Sequence, residues 1–435
     1  MENGFIIAAP HSGSGKTTIT LALLHTLCRQ GKKIAAYKIG PDFIDPGHHG
    51  TVTGESSHNL DGWLMSKDYN HKLFREHSIR ADICVVEGVM GLFDGYGWNS
   101  EDGSTGQMAK WLDLPVVLVV DARSMARSVA ALLQGFERFD PKIRFAGVMF
   151  NRVGSPRHLQ YLREAAKNYT TLPVLGGIPR DPAFDLPERH LGLWTAEDHP
   201  LSQSRLTKMA DILEDVIDFE TLLSQTATHQ INDASADLSS VGNKSLKVRI
   251  AVPRDQAFCF YYQENVNLLR SMGAEICDFS PLIDEELPSG IHGIYLGGGY
   301  PELHAHSLSA NDRLRTAIRN SALQGMPIYA ECGGFMYLCR SLETPNGEIK
   351  PMAGVFPFET RMGTKFSALG YRKICFTKGN ILGEKDEICR GHEFHYSHLK
   401  PDPAQEGLET AFHISSRSSD LSEKEGYMVD NALGS

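Results

Sequence analysis

The stretch Ala9-Pro10-His11-Ser12-Gly13-Ser14-Gly15-Lys16-Thr17-Thr18 constrains this chain more than any other. An apolar run, Phe5-Ile6-Ile7-Ala8, leads into it, and a helical pattern, Ile19-Thr20-Leu21-Ala22-Leu23-Leu24, leads out. Strand, glycine-rich turn and helix form the setting in which Gly-Lys-Thr means phosphate binding. N–H groups of the turn and of the helix start point at the phosphates in such a loop. The reading makes Ser12, Gly13, Ser14, Gly15, Lys16, Thr17 and Thr18 an ATP site, with the Thr17 hydroxyl offered to Mg²⁺. Where the common pattern opens with Gly this chain has Pro10, which lacks an N–H, so the cradle must start at Ser12.

Around this loop, residues 1–195 alternate between apolar strand-like runs (5–9, 34–38, 83–87, 115–120, 144–150 and 173–178) and amphipathic stretches of helical length. Runs buried on both faces suit a doubly wound, mostly parallel sheet. Residues 203–224 read as one helix with Met209, Ile212, Leu213 and Ile217 on one face. From Ser224 to Lys247 the composition turns to Ser, Thr, Ala, Asn, Asp and Gly, the signature of a linker. With 435 residues, the chain is read as a first domain over 1–224, a linker over 225–246 and a second α/β domain over 247–435. The net charge of −10 argues against nucleic acid or an acidic membrane surface as partner. The eight cysteines show no close CxxC pairing, and the N-terminus shows no secretory pattern, so a cytoplasmic protein with reduced thiols is expected.

Ligands of a parallel sheet collect at the carboxyl ends of its strands. There the second strand runs into Lys38-Ile39-Gly40-Pro41-Asp42-Phe43-Ile44-Asp45. Lys38, Asp42 and Asp45 suit either Mg²⁺ and an acidic substrate or an Asp-Pro turn. Glu87 closes the third strand immediately before Gly88 and is a candidate Mg²⁺ ligand opposite Thr17. Asn151 is a candidate partner for adenine or a helix cap. His190 lies in a Pro-rich loop and is read as structural or substrate-facing.

The second domain carries Gly297-Gly298-Gly299-Tyr300 after a strand, then Tyr329-Ala330-Glu331-Cys332-Gly333-Gly334-Phe335. Strand, Cys, two glycines and helix resemble a nucleophile elbow. Cys332 is expected to attack as a thiolate whose pKa the helix dipole lowers, with N–H groups of Gly298, Gly299 and Gly333 as oxyanion donors. Gly391-His392-Glu393-Phe394-His395-Tyr396-Ser397-His398 reads as a strand that splits its histidines between faces, suited to ligand contact or to assisting Cys332.

The set SGSGKTT, KIGPDFIDPGHH, NLDGWLM, VVEGVMGLFDG, NRVGS, LPERHLGL, YLGGGYPELHA, YAECGGFMYL and GHEFHYS resembles the cobyrinate a,c-diamide synthase family, in order along almost the whole chain. The resemblance implies a dethiobiotin synthetase-like ATPase domain followed by a class I glutamine amidotransferase-like domain of the cobyric acid synthase type. It implies that ATP and Mg²⁺ activate peripheral carboxylates of a tetrapyrrole as acyl phosphates. Cys332 then liberates ammonia from glutamine to form the a and c amides. Thr17, Glu87 and Asp42 would carry the metal, and Lys38, Asp42, Phe43 and Asp45 would face the substrate. Hydrogenobyrinate and nickel sirohydrochlorin are alternative substrates, a P-loop switch ATPase is a distant alternative, and a homodimer is left open. The family's activating histidine has no positional match among residues 1–435, so free ammonia is expected to serve better than glutamine.

Overall fold

The computed structural model describes residues 3–97, 99–186, 188–189, 192–193, 195–196, 200–227, 247–363, 367–401, 407–416 and 422–435. His190 and most of the expected linker lie outside them. The chain divides into two compact units, Met1–Ser235 and Ala236–Ser435.

In the first unit the strands are β1 (Asn3–Ala8), β2 (Ile34–Ile39), β3 (His58–Leu60), β4 (Ile83–Glu87), β5 (Val116–Asp121), β6 (Phe145–Val153) and β7 (Val174–Pro179). They form one sheet in the order β3-β2-β4-β1-β5-β6-β7, every neighbouring pair parallel. The apolar runs explain this arrangement. Ile6, Val86 and Leu118 feed one core, while their neighbours Phe5, Ile7, Val85 and Val117 feed another on the opposite face. Both cores exclude water, and each fully buried large side chain contributes roughly 1.5–3 kcal/mol. Helices α1 (Lys16–Arg29), α2 (Ile44–Thr53), α3 (Lys67–Ser78), α4 (Thr105–Leu112), α5 (Ser128–Phe139) and α6 (Pro156–Tyr169) connect the strands. A short hairpin, β8 (Glu188–Arg189) with β9 (Gly192–Leu193), follows.

The single helix expected over 203–224 is two, α7 (Gln203–Val216) and α8 (Phe219–Gln225). Ile217 is extended and bridges to Gly176. Asp218 then caps α8 by accepting the Thr221 N–H at 2.9 Å. Tertiary pairing and a local cap override the continuous apolar period.

The second unit begins with β10 (Val248–Pro253), α9 (Gln263–Ser271), β11 (Ala274–Phe279), β12 (Gly293–Leu296), α10 (Ala305–Ala310) and α11 (Asp312–Leu323). It continues through β13 (Ile328–Ala330), α12 (Gly333–Leu338), β14 (Cys339–Glu343), β15 (Ile349–Pro351), β16 (Phe356–Met362) and β17 (Ala368–Phe376). It ends with β18 (Ile388–His395), β19 (Ser397–Lys400), β20 (Thr410–Ser416), β21 (Ser422–Val429) and β22 (Ala432–Gly434). The main sheet runs β11-β10-β12-β13-β22-β21-β20-β17-β18, parallel as far as β22 and antiparallel beyond it. A smaller sheet runs β15-β14-β16-β19. Parallel pairing places the end of β13 between β12 and β22, where the Cys332 turn emerges.

Candidate functional site

The phosphate loop joins β1 to α1. Gly15 caps α1 at φ 96°, a conformation that favours glycine, and a Cβ there would meet Asn151 Nδ2 at 2.2 Å. Asn151 donates to the Ser14 carbonyl at 2.9 Å, so its amide braces the loop, a role the adenine reading did not include. Lys16 is buried, with Nζ donating to the Met90 carbonyl at 2.6 Å. Burial, and next the Lys38 ammonium, lower its pKa to about 8. Phosphate oxygens arriving at Lys16 would reverse that shift. The loop after β4 is tied to this one by the Leu92 N–H on the Ala9 carbonyl at 2.8 Å.

Below the loop lies a buried group of charges. Thr17 Oγ1 donates to Glu87 Oε1 at 2.6 Å and lies 3.2 Å from Asp45 Oδ2. Lys38, expected to face substrate, is only 3% exposed. Its ammonium spans Asp45 Oδ2 at 2.5 Å and Glu87 Oε1 at 2.9 Å. Asp42, expected at the metal, instead accepts the Ile44 and Asp45 N–H groups at 2.9 and 3.0 Å, fixing the start of α2. Phe43 is the residue that precedes α2. The aspartate that joins Glu87 beside Thr17 is therefore Asp45.

Sequence reasoning passed over His49. Its Nε2 meets Glu87 Oε2 at 2.8 Å and its Nδ1 meets Ser57 Oγ at 3.1 Å, with no exposed surface. A usable signal was present, because Asp45 and His49 stand four apart and share a face of α2.

The charges are strongly linked. Burial works against the Lys38 cation, but Asp45, Glu87 and Asp42 outweigh it and hold its pKa above the ordinary lysine value. Burial also opposes the Glu87 charge, yet Lys38 and His49 keep that carboxyl well below its usual range. Asp45 goes the other way, raised by burial and by the nearby Asp42 and Glu87 charges. The carboxylates titrate as a pair, with Glu87 holding the charge. Thr17, Asp45 and Glu87 present hard oxygen donors to one another, the donor type Mg²⁺ takes, and the residues fit that ion.

In the second unit Cys332 has φ 47° and ψ −109°, strained for a residue with a Cβ, as a nucleophile elbow requires. Gly333 must be glycine, since a Cβ there would lie 2.9 Å from the Gly299 N. Gly298 lies against the thiol side, where a Cβ would be 3.6 Å from Cys332 Cβ. The three candidate oxyanion residues are thus gathered around Cys332.

The expected lowered thiol pKa is reversed. Cys332 opens to solvent at one side, but crowding by the protein and the Glu302 carboxylate push its pKa up to about 11, against a hydrogen bond from the Gly333 N–H. The Gly333 N–H at the start of α12 still favours the thiolate, but burial and Glu302 outweigh it. Alkylation of Cys332 by iodoacetamide is therefore expected to accelerate about ten-fold per pH unit through pH ~7–10. Peptide mass spectrometry would follow it, and a plateau near neutral pH would show a thiolate stabilised by some other group.

The histidines of β18 do not assist Cys332 directly. His392 and His395 lie on the outermost strand, five strands along the sheet from β13. His395 holds Glu393 Oε1 at 3.0 Å, and Glu393 Oε2 accepts from Arg372 at 2.6 Å.

Comparison with known proteins places both halves. A CobQ/CobB/MinD/ParA nucleotide binding domain matches residues 5–193, and a CobB/CobQ-like glutamine amidotransferase domain matches residues 249–435. The chain is similar to the cobyrinate a,c-diamide synthase of Leptospira interrogans serogroup Icterohaemorrhagiae serovar copenhageni, with 40% identity over 99% of this chain and 93% of the relative. That of Syntrophotalea carbinolica is 41% identical over 97% and 92%. That of Salmonella typhimurium is 42% identical over 92% and 87%.

Proposed function

The chain belongs to the cobyrinate a,c-diamide synthase family, and on that premise we propose that it amidates the a and c side-chain carboxylates of a cobyrinate-type tetrapyrrole. It is a glutamine-dependent amide-forming ligase of cobalamin biosynthesis that uses ATP. The observation that carries the reading is the pairing of the Lys16–Thr17–Asp45–Glu87 group in one unit with the strained Cys332 turn in the other.

In the ATP-binding unit, the turn from Ser12 to Thr18 orients the phosphates, and Lys16 gains full charge against them. Charge building on the transferred phosphoryl group is met by Lys16, with Lys38 holding Asp45 and Glu87 in register. Thr17, Asp45 and Glu87 would hold Mg²⁺, which supplies charge neutralisation on the phosphates. The carboxylate of the tetrapyrrole takes the phosphoryl group, and ammonia then displaces phosphate from the acyl phosphate.

In the other unit Cys332 Sγ bonds to the amide carbon of glutamine, the C–N bond breaks, and ammonia leaves with the thiol proton. Water cleaves the thioester to glutamate. N–H groups of Gly298, Gly299 and Gly333 would donate to the oxyanion of the tetrahedral intermediate. We also assign a cytoplasmic location, where ATP and glutamine are supplied; no described helix is long and apolar enough to cross a membrane.

The test is a substrate panel of cobyrinate, hydrogenobyrinate and nickel sirohydrochlorin, each with ATP, Mg²⁺ and either glutamine or ammonium. Mass spectrometry is expected to show two carboxyl-to-amide conversions on cobyrinate. Conversion of another macrocycle in its place would move the substrate assignment, and conversion of none would overturn the amidation reading.

A further inference from the structure

Alternation along β13 puts Ile328 and Ala330 on one face of the sheet and Tyr329 on the other, with Glu331 immediately past the strand's end. Packing agrees, since Ile328 and Ala330 join the core of Phe335 and Tyr337, whereas Tyr329 packs on the cluster of Phe412 and Leu433. Tyr295 on β12 is the cross-strand partner of Tyr329, and the two rings stack 5.6 Å apart at 16°. Tyr261 meets Tyr295 edge-on, 5.4 Å away at 90°, with its hydroxyl accepting the Gly297 N–H at 3.0 Å. Tyr295 donates to Glu331 Oε2 at 3.5 Å. The amidation chemistry leaves this group unused, although Glu331 is the residue immediately before the nucleophile. Tyrosine hydroxyls gathered on one carboxylate supply the oxygen acceptors that a small ammonium ion needs.

We propose that Tyr261, Tyr295, Tyr329 and Glu331 form a holding site for the nitrogen released at Cys332. Resting on the glutamine-dependent reading above, the site takes up ammonia as it leaves the thioester. Burial raises the Glu331 pKa above the ordinary carboxyl value against the hydrogen bonds from Tyr329 and Tyr295, which favours a proton on its carboxyl more than water would. That proton moves from oxygen to nitrogen, giving a carboxylate and an ammonium ion beside the tyrosine hydroxyls. On departure the proton returns to Glu331 and nitrogen leaves as NH₃, the form that attacks an acyl phosphate. Only O–H and N–H bonds change, and no other reactant is consumed.

Glutamate released and amide formed, counted together with glutamine as the donor, test this. Glu331→Gln is expected to release glutamate at about the rate of the unaltered protein, because glutamine keeps the size of the side chain beside the Cys332 turn. Amide formed per glutamate is expected to fall about ten-fold, as escaping ammonia is lost to solvent. Tyr329→Phe, which removes only a hydroxyl, should move the ratio in the same direction by less. Saturating ammonium should restore amide formation in both variants. An unchanged ratio in both variants, or glutamate and amide falling together, overturns the holding site. Absence of glutamate release from the unaltered protein removes the glutamine reading itself, and the holding site with it.

Discussion

Cys332→Ala should abolish glutamine-driven amide formation, by roughly 10³-fold or more, while amide formation from ammonium continues at its original rate. The asymmetry follows from where the thiol stands. Cys332 belongs to the second unit and to a turn built by Gly299, Gly333 and Gly334, and the nucleotide loop belongs to the first. Alanine keeps the Cβ, so the strain at φ 47° is the same in both proteins and stability changes little. Parallel assays with glutamine and with ammonium, each reading amide by mass, make the comparison. Loss of both activities would mean that the thiol turn takes part in carboxylate activation, and the separation of chemistry between units would be wrong.

Glu87→Gln should instead remove amide formation with either donor, by about 10²–10³-fold, because it strikes the activating step common to both. It should also destabilise the protein. Glu87 has no exposed surface and satisfies Thr17, Lys38 and His49 at once. Breaking a buried ion pair by removing one partner costs about 3–5 kcal/mol, and Asp45 remains as a counter-ion for Lys38, so the lower end applies. Melting curves with and without Mg²⁺ and ATP separate the two effects. Ligand that binds the native state raises the melting temperature, and the variant should lose most of the Mg²⁺-dependent part of that rise. A variant with a full Mg²⁺-dependent rise and full amidation would free Glu87 from both roles.

Much of this architecture is legible in the chain because its causes are local. Near-continuous apolar runs at 5–9, 83–87 and 115–120 leave parallel strands covered on both faces as the one good burial, and β1, β4 and β5 are those strands. Gly15 before Lys16, and Gly333 after Cys332, announce turns that other residues cannot make. Where several elements compete, the linear pattern misleads. The apolar period through 203–224 continues across Ile217, but pairing with Gly176 and the Asp218 cap break the helix there.

Local residue patterns settle the two turns, the order of strands and helices around them, and the chemistry that a Gly-Lys-Thr loop and a Cys-Gly-Gly elbow can carry. Those features depend on backbone conformations and on neighbours a few residues away. Which charges meet is settled by the packed fold. It set Asp45, not Asp42, beside Thr17, buried Lys38 between two carboxylates, brought in His49, and raised the Cys332 pKa where a helix dipole had been expected to lower it. Electrostatic energy depends on distance and burial in three dimensions, and neither is written in the spacing of residues along the chain.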